Sequence, residues 1–82
     1  MIQCMVDCTY DDYCEIWRWC RDNLDETLGH NDDSDGQNIK FDYLDWGTGM
    51  YVYIDFLKDK DASVFLLRYG DKYKIHTSVK AR

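Results

Sequence analysis

Four cysteines, two histidines and sixteen carboxylates are the residues of this chain whose chemistry could go beyond packing. Cys4, Cys8, Cys14 and Cys20 follow a C-x3-C-x5-C-x5-C spacing. Structural zinc sites place paired cysteines on tight turns, with a second pair or histidines further on. That arrangement is missing. The cysteines fall on positions patterned as core, which predicts free, mostly buried and inert thiols rather than zinc ligands, disulfides or nucleophiles. His30 and His76 find no triad: Ser34, Ser63 and Ser78 are scattered over polar or helical segments, and none is framed by glycine. The chain therefore reads as non-enzymatic, with no cofactor and no metal.

The carboxylates are more informative. Net charge is −6, unevenly spread. Residues 1–45 hold twelve acids against Arg18, Arg21 and Lys40, a formal −9, whereas residues 46–82 hold four acids and seven bases, a formal +3. An acidic half of this strength repels nucleic acid and attracts basic surfaces. Within it, the stretch NDDSDGQNIKFD (31–42) resembles the calcium loop of an EF-hand, with Asn31, Asp33 and Asp35 at the first three ligand positions, Gly36 at the turn and Asp42 at the last. Two features depart from that family. The residues after the loop alternate as a strand, and Asp42 stands where a longer, bidentate Glu is usual. A solvated turn rich in Asp and Asn is the expectation.

These groups must be positioned by one small domain, 1–82. Eighty-two residues bury a modest fraction of their surface, so the core must be dense, and 45% hydrophobic residues including 13 aromatics supply it. No run approaches the length of a membrane span, and MIQCMVDC lacks the basic flank and apolar stretch of a signal peptide, which predicts a reducing, cytoplasmic location.

IQCMVDC (2–8) alternates, with Ile2, Cys4 and Val6 on one side and Gln3, Met5 and Asp7 on the other. Thr9 through Asp12 reads as a capping box opening a helix that carries Tyr13, Ile16, Trp17, Cys20, Leu24 and Leu28 on its apolar stripe and ends at Gly29. Strand alternation returns in NIKFDYLD and MYVYIDF, joined by the hairpin turn WGTG (46–49). KDKDASVFLLRYG (58–70) is ambiguous between a buried strand and a helix. Read as a strand, it sets large apolar groups on both faces. Read as a helix, Ala62, Phe65, Leu66 and Tyr69 form one stripe, Asp59 or Asp61 caps the start, and Gly70 ends it. The helix is the better reading. KYKIHTSV closes as a strand with Tyr73, Ile75 and Thr77 inward.

The order β-α-β-β-α-β resembles the ferredoxin-like superfold: an α+β sandwich whose four-stranded antiparallel sheet carries two helices on one face. A superfold implies no function. It does imply central first and third strands and an open sheet face showing Met5, Leu44, Tyr51, Tyr53 and Trp46, ringed by Gln3, Asp55, Lys74 and His76. Aromatics on the third strand resemble the RNA-recognition module, but the first strand offers none, the third lacks the basic, glycine-framed signature, and the charge is wrong for RNA. A Tyr- and Met-rich face suits a protein interface better. On the first helix, Trp19 lies off the core stripe near Asp22, Asp25 and Glu26, either as an anchor for a basic partner or folded over the sheet edge.

The leading expectation is a stoichiometric binder that docks an acidic helix and loop (Trp19, Asp22, Asp25, Glu26, Asp32, Asp33, Asp35) onto the basic surface of a nucleic-acid-handling protein and blocks the phosphate path. Small, acidic, aromatic-rich, proline-free chains of this kind look like phage anti-defence proteins such as anti-CRISPR or anti-restriction inhibitors, or nuclease-immunity partners. The alternative is a ferredoxin-like interaction module that homodimerises or binds partners through Tyr51 and Tyr53.

Overall fold

Ile2, Cys4 and Val6 can be buried together only if the chain opens as a strand. The computed structural model describes residues 1–29 and 35–79 and has this strand as β1, Ile2–Cys8. There follow α1 (Tyr10–Asn23), β2 (Ile39–Asp45), β3 (Met50–Phe56), α2 (Asp59–Tyr69) and β4 (Lys74–Val79). The sheet order is β2-β3-β1-β4, every neighbour antiparallel, so β1 and β3 are central. This is the predicted α+β, ferredoxin-like arrangement.

Both helices cover one face. Ile16 and Cys20 of α1 and Ala62, Phe65 and Tyr69 of α2 are buried with Cys4, Val6, Ile39, Phe41, Val52, Ile54 and Phe56 of the sheet. The Phe65 ring packs on Phe56 and Tyr69, each at 5.3 Å between centroids. Each buried Val, Ile or Phe side chain among these contributes about 1.5–3 kcal/mol through removal from water. No helix among the described residues is long and apolar enough to cross a membrane.

The opening stretch is helical, with Ala62, Phe65 and Tyr69 buried, Leu66 half-buried and Val64 exposed. Its cap differs from the expectation. Lys58 occupies the N-cap with no side-chain bond, and Asp59 and Asp61 sit one to three residues inside, where they face the positive end of the helix dipole. Gly70 ends the helix, its N–H donating to the Leu66 carbonyl at 2.8 Å.

At the start of α1 the capping box forms as predicted. The Asp12 N–H donates to Thr9 Oγ1 and the Thr9 N–H to Asp12 Oδ2. The far end differs, because α1 stops at Asn23, short of Gly29. Two local bonds compete with continued helix: Asn23 Nδ2 donates to the Trp19 carbonyl, and the Asp25 side chain turns back to accept from the Thr27 N–H. The chain then folds through a turn that keeps Leu28 in the core and leaves Gly29 at φ 81°, with no room beside Trp17 for a Cβ.

Candidate partner-binding site

Because side chains alternate across a pleated sheet, the strand register alone arranges the helix-free face as a grid. Across β2, β3, β1 and β4, one row reads Leu44, Tyr51, Asp7, Lys74. The next reads Asp42, Tyr53, Met5, His76, and the third Lys40, Asp55, Gln3, Ser78. Two rings and a thioether thus occupy the centre, flanked by Leu44, which is 57% exposed. Trp46, from the hairpin, meets the Tyr51 ring edge-on at 4.6 Å and extends the apolar strip. Gln3 Nε2 donates to Asp55 Oδ1 at 2.9 Å, which fixes one carboxylate beside the tyrosines. A groove of about 680 Å³ runs over this face, lined by Gln3, Asp35, Lys40, Phe41, Asp42, Tyr53 and Asp55.

The structure therefore brings Tyr51 and Tyr53 together with the apolar and polar neighbours expected for them. It adds Asp7, Asp42 and Lys40, which strand alternation placed on this side but which the reading of an acidic helix and loop left out.

The helix–loop residues fare differently. Trp19 is half-buried, its ring meeting Tyr69 edge-to-face at 5.4 Å, so it serves helix–helix packing. Asp22 is exposed and paired with Arg21 at 3.1 Å. Glu26 is exposed and lies, like Asp25, beyond the end of α1 rather than on its last turns. Asp32 and Asp33, and with them Asn31 and His30, lie outside the described residues.

Asp25 is 3% exposed and turns inward, away from any partner. Its Oδ1 accepts from the N–H and hydroxyl of Thr27, its Oδ2 from the N–H groups of Asn38 and Ile39. Burial pushes its pKa up, but these four bonds outweigh burial and hold the carboxyl below its ordinary value. Gly36 is required beside it, since a Cβ there would run into the Asp25 carboxylate.

Asp35 is exposed, yet its Oδ1 accepts from the Phe41 N–H at 3.1 Å. With Asp25 on Ile39 and the Asp42 side chain on the Tyr43 N–H at 2.8 Å, carboxylates cap three of the outward N–H groups of β2, those of Ile39, Phe41 and Tyr43. Such capping blocks a sheet edge from pairing with foreign strands. The short sequence Asp25-x-Thr27 was the available signal that one acid of the run serves a turn.

Strand β2 begins at Ile39, inside the calcium-like stretch, and Asp35 and Asp42 serve backbone N–H groups. Among the described residues no three His, Cys, Asp or Glu side chains gather to hold a metal ion. Cys4, Cys8 and Cys20 are buried free thiols, with Cys14 half-exposed. Burial pushes Cys4 to about 11, and burial with the nearby Asp12 and Asp7 charges pushes Cys8 to about 11. Neither is a thiolate at neutral pH.

Compared with protein-family models, with curated proteins and with solved structures, the chain matches none.

Proposed function

We propose that this protein is a non-enzymatic binder that docks on a basic protein surface through its open sheet face and so obstructs a nucleic-acid-handling partner. The observation that carries the reading is the face itself. Tyr51, Tyr53, Met5 and Leu44 stand in register among Asp7, Asp42 and Asp55, which outnumber Lys40 and Lys74 on that face, and neither described helix covers them. Surfaces that hold single-stranded nucleic acid combine cationic grooves with stacking platforms. Carboxylates interleaved with planar rings offer such a surface the same two features, negative charge and a π-face. We prefer the sheet to the acidic helix and loop because Asp25 is inward and Asp22 shares its charge with Arg21, which leaves Glu26 as the exposed, unshared acid of that helix end among the described residues. An anti-defence or nuclease-immunity role belongs to this reading as its biological setting.

The second reading, a module that docks onto its own copy through the same face, draws on Lys40 opposite Asp55 and Lys74 opposite Asp7, which give that face both signs of charge. The test compares binding to a captured basic partner for Tyr51→Ala and Tyr53→Ala against Asp22→Lys and Glu26→Lys. The sheet variants should lose binding, chiefly through faster dissociation, while the helix–loop reversals change it little. Retention of the wild-type protein on single-stranded RNA at low salt would instead favour a stacking module.

A further inference from the structure

The two edges of the sheet are finished differently. At β2, Ile39 and Phe41 point their N–H groups away from β3 into carboxylates, and the Ile39 carbonyl accepts from the Gly36 N–H. Residues of an antiparallel strand alternate in the side to which both backbone polar groups point. Ile39 and Phe41 pointing outward makes Lys40, Asp42 and Leu44 the residues bonded to β3. Carried through the register, β3 bonds β1 through Ile54 and Val52, and β1 bonds β4 through Gln3, Met5 and Asp7. Ser78, His76 and Lys74 therefore face inward along β4, and the N–H and C=O groups of Ile75, Thr77 and Val79 form its outer edge. No described residue hydrogen-bonds that edge.

We infer that the β4 edge is a pairing site for a second copy of this chain, joined antiparallel about a two-fold axis at Thr77. That register matches every outward residue with another outward one, Thr77 with Thr77 and Ile75 with Val79, and each such pair can exchange two backbone bonds. The side chains agree with it. Ile75 and Val79 lie on the helix side of the sheet, and Val79, 83% exposed in the single chain, gains an apolar cross-strand neighbour. His76 and Ser78 meet on the other side, and the pairing is confined to residues 75–79, since one step further the same register would set Lys74 against Lys80. The axis is perpendicular to the sheet, so both open faces lie on the same side of one eight-stranded sheet, which doubles the proposed docking surface. A second copy pairs here rather than at β2 because carboxylates already occupy the Ile39, Phe41 and Tyr43 N–H groups of that edge.

Sedimentation velocity on the wild-type protein over a concentration series tests this. Dimerisation is expected, with Thr77→Pro monomeric throughout and still folded by circular dichroism, since that N–H serves no bond within the chain. Val79→Asp guards against misfolding of the proline variant, because the exposed side chain is dispensable to the monomer. It should raise the dimer dissociation constant by about tenfold, two symmetry-related apolar pairs being lost. A wild-type protein monomeric up to its solubility limit overturns the inference. So does a dimer that survives Val79→Asp with unchanged affinity, or one that Tyr53→Ala abolishes while Val79→Asp leaves it intact.

Discussion

Asp25 and Glu26 are neighbours that the sequence presents alike, as two acids of one negative run, yet the fold gives them opposite roles. Replacing Asp25 by Ala removes the acceptor of the Thr27, Asn38 and Ile39 N–H groups, at 3.0, 2.9 and 3.1 Å. Ile39 is fully buried, so its N–H is left without water, at a cost of about 1–3 kcal/mol. The Thr27 and Asn38 groups are half-buried and recover part of their loss from solvent. A total near 2–4 kcal/mol follows, against roughly 4–12 kcal/mol for a domain of this size. Asp25→Asn should cost nearly as much. The carboxylate accepts through both oxygens, whereas an amide offers one and sets its NH2 against the N–H groups on the other side. Glu26→Gln should change stability by no more than about 0.5 kcal/mol. Denaturant unfolding at neutral pH measures all three. An Asp25→Asn protein as stable as the wild type would refute the hub role and return Asp25 to the surface.

Phe65→Asp should unfold the domain, because a buried carboxylate costs several kcal/mol, whereas Val64→Asp on the exposed side should be mild; equal damage would contradict the helical assignment, as read by circular dichroism. Stability should fall on acidification. Asp25 and Asp12 are both held below the ordinary carboxylate range: at Asp12, burial is outweighed by its bonds to Thr9 and Tyr73 and by the Lys72 charge. Depressed carboxyls contribute stability that is complete above the unfolded value, about 3.9, and is lost as pH drops through the lower folded values. Thermal melts from pH 7 to 2 should show that loss, and Asp25→Asn should flatten it. A thiol-reactive dye should label Cys14 alone in the native protein and four cysteines after denaturation, with no stoichiometric zinc; one tightly bound zinc per chain would contradict the free-thiol reading.

The elements were readable because each carries one period. Cys4 and Val6 alternate with Gln3 and Met5, and the stripe of Ala62, Phe65 and Tyr69 outweighs the local β-propensity of Val64 and Phe65. The open face followed from the same alternation, since Tyr51 and Tyr53 cannot share a side with Val52 and Ile54. What periodicity could not reveal was the fate of individual acids. Leu24 and Leu28 continue the helical spacing of α1, and only the side-chain bonds of Asn23 and Asp25, one of which reaches fourteen residues ahead to Ile39, show why the helix stops. The place of Trp19 is hidden from periodicity for the same reason, because its partner Tyr69 is fifty residues away.

Whether the sheet face or the helix–loop surface meets a basic partner can be decided by one comparison. Biolayer interferometry of a captured basic, nucleic-acid-handling partner against Tyr53→Ala and the double reversal Asp22→Lys/Glu26→Lys compares the two surfaces on one instrument. Tyr53→Ala should lose binding through a faster off-rate while the double reversal keeps both affinity and salt dependence. Binding intact in Tyr53→Ala, with association slowed and salt dependence flattened in the double reversal, would contradict it and restore the acidic helix and loop as the docking surface.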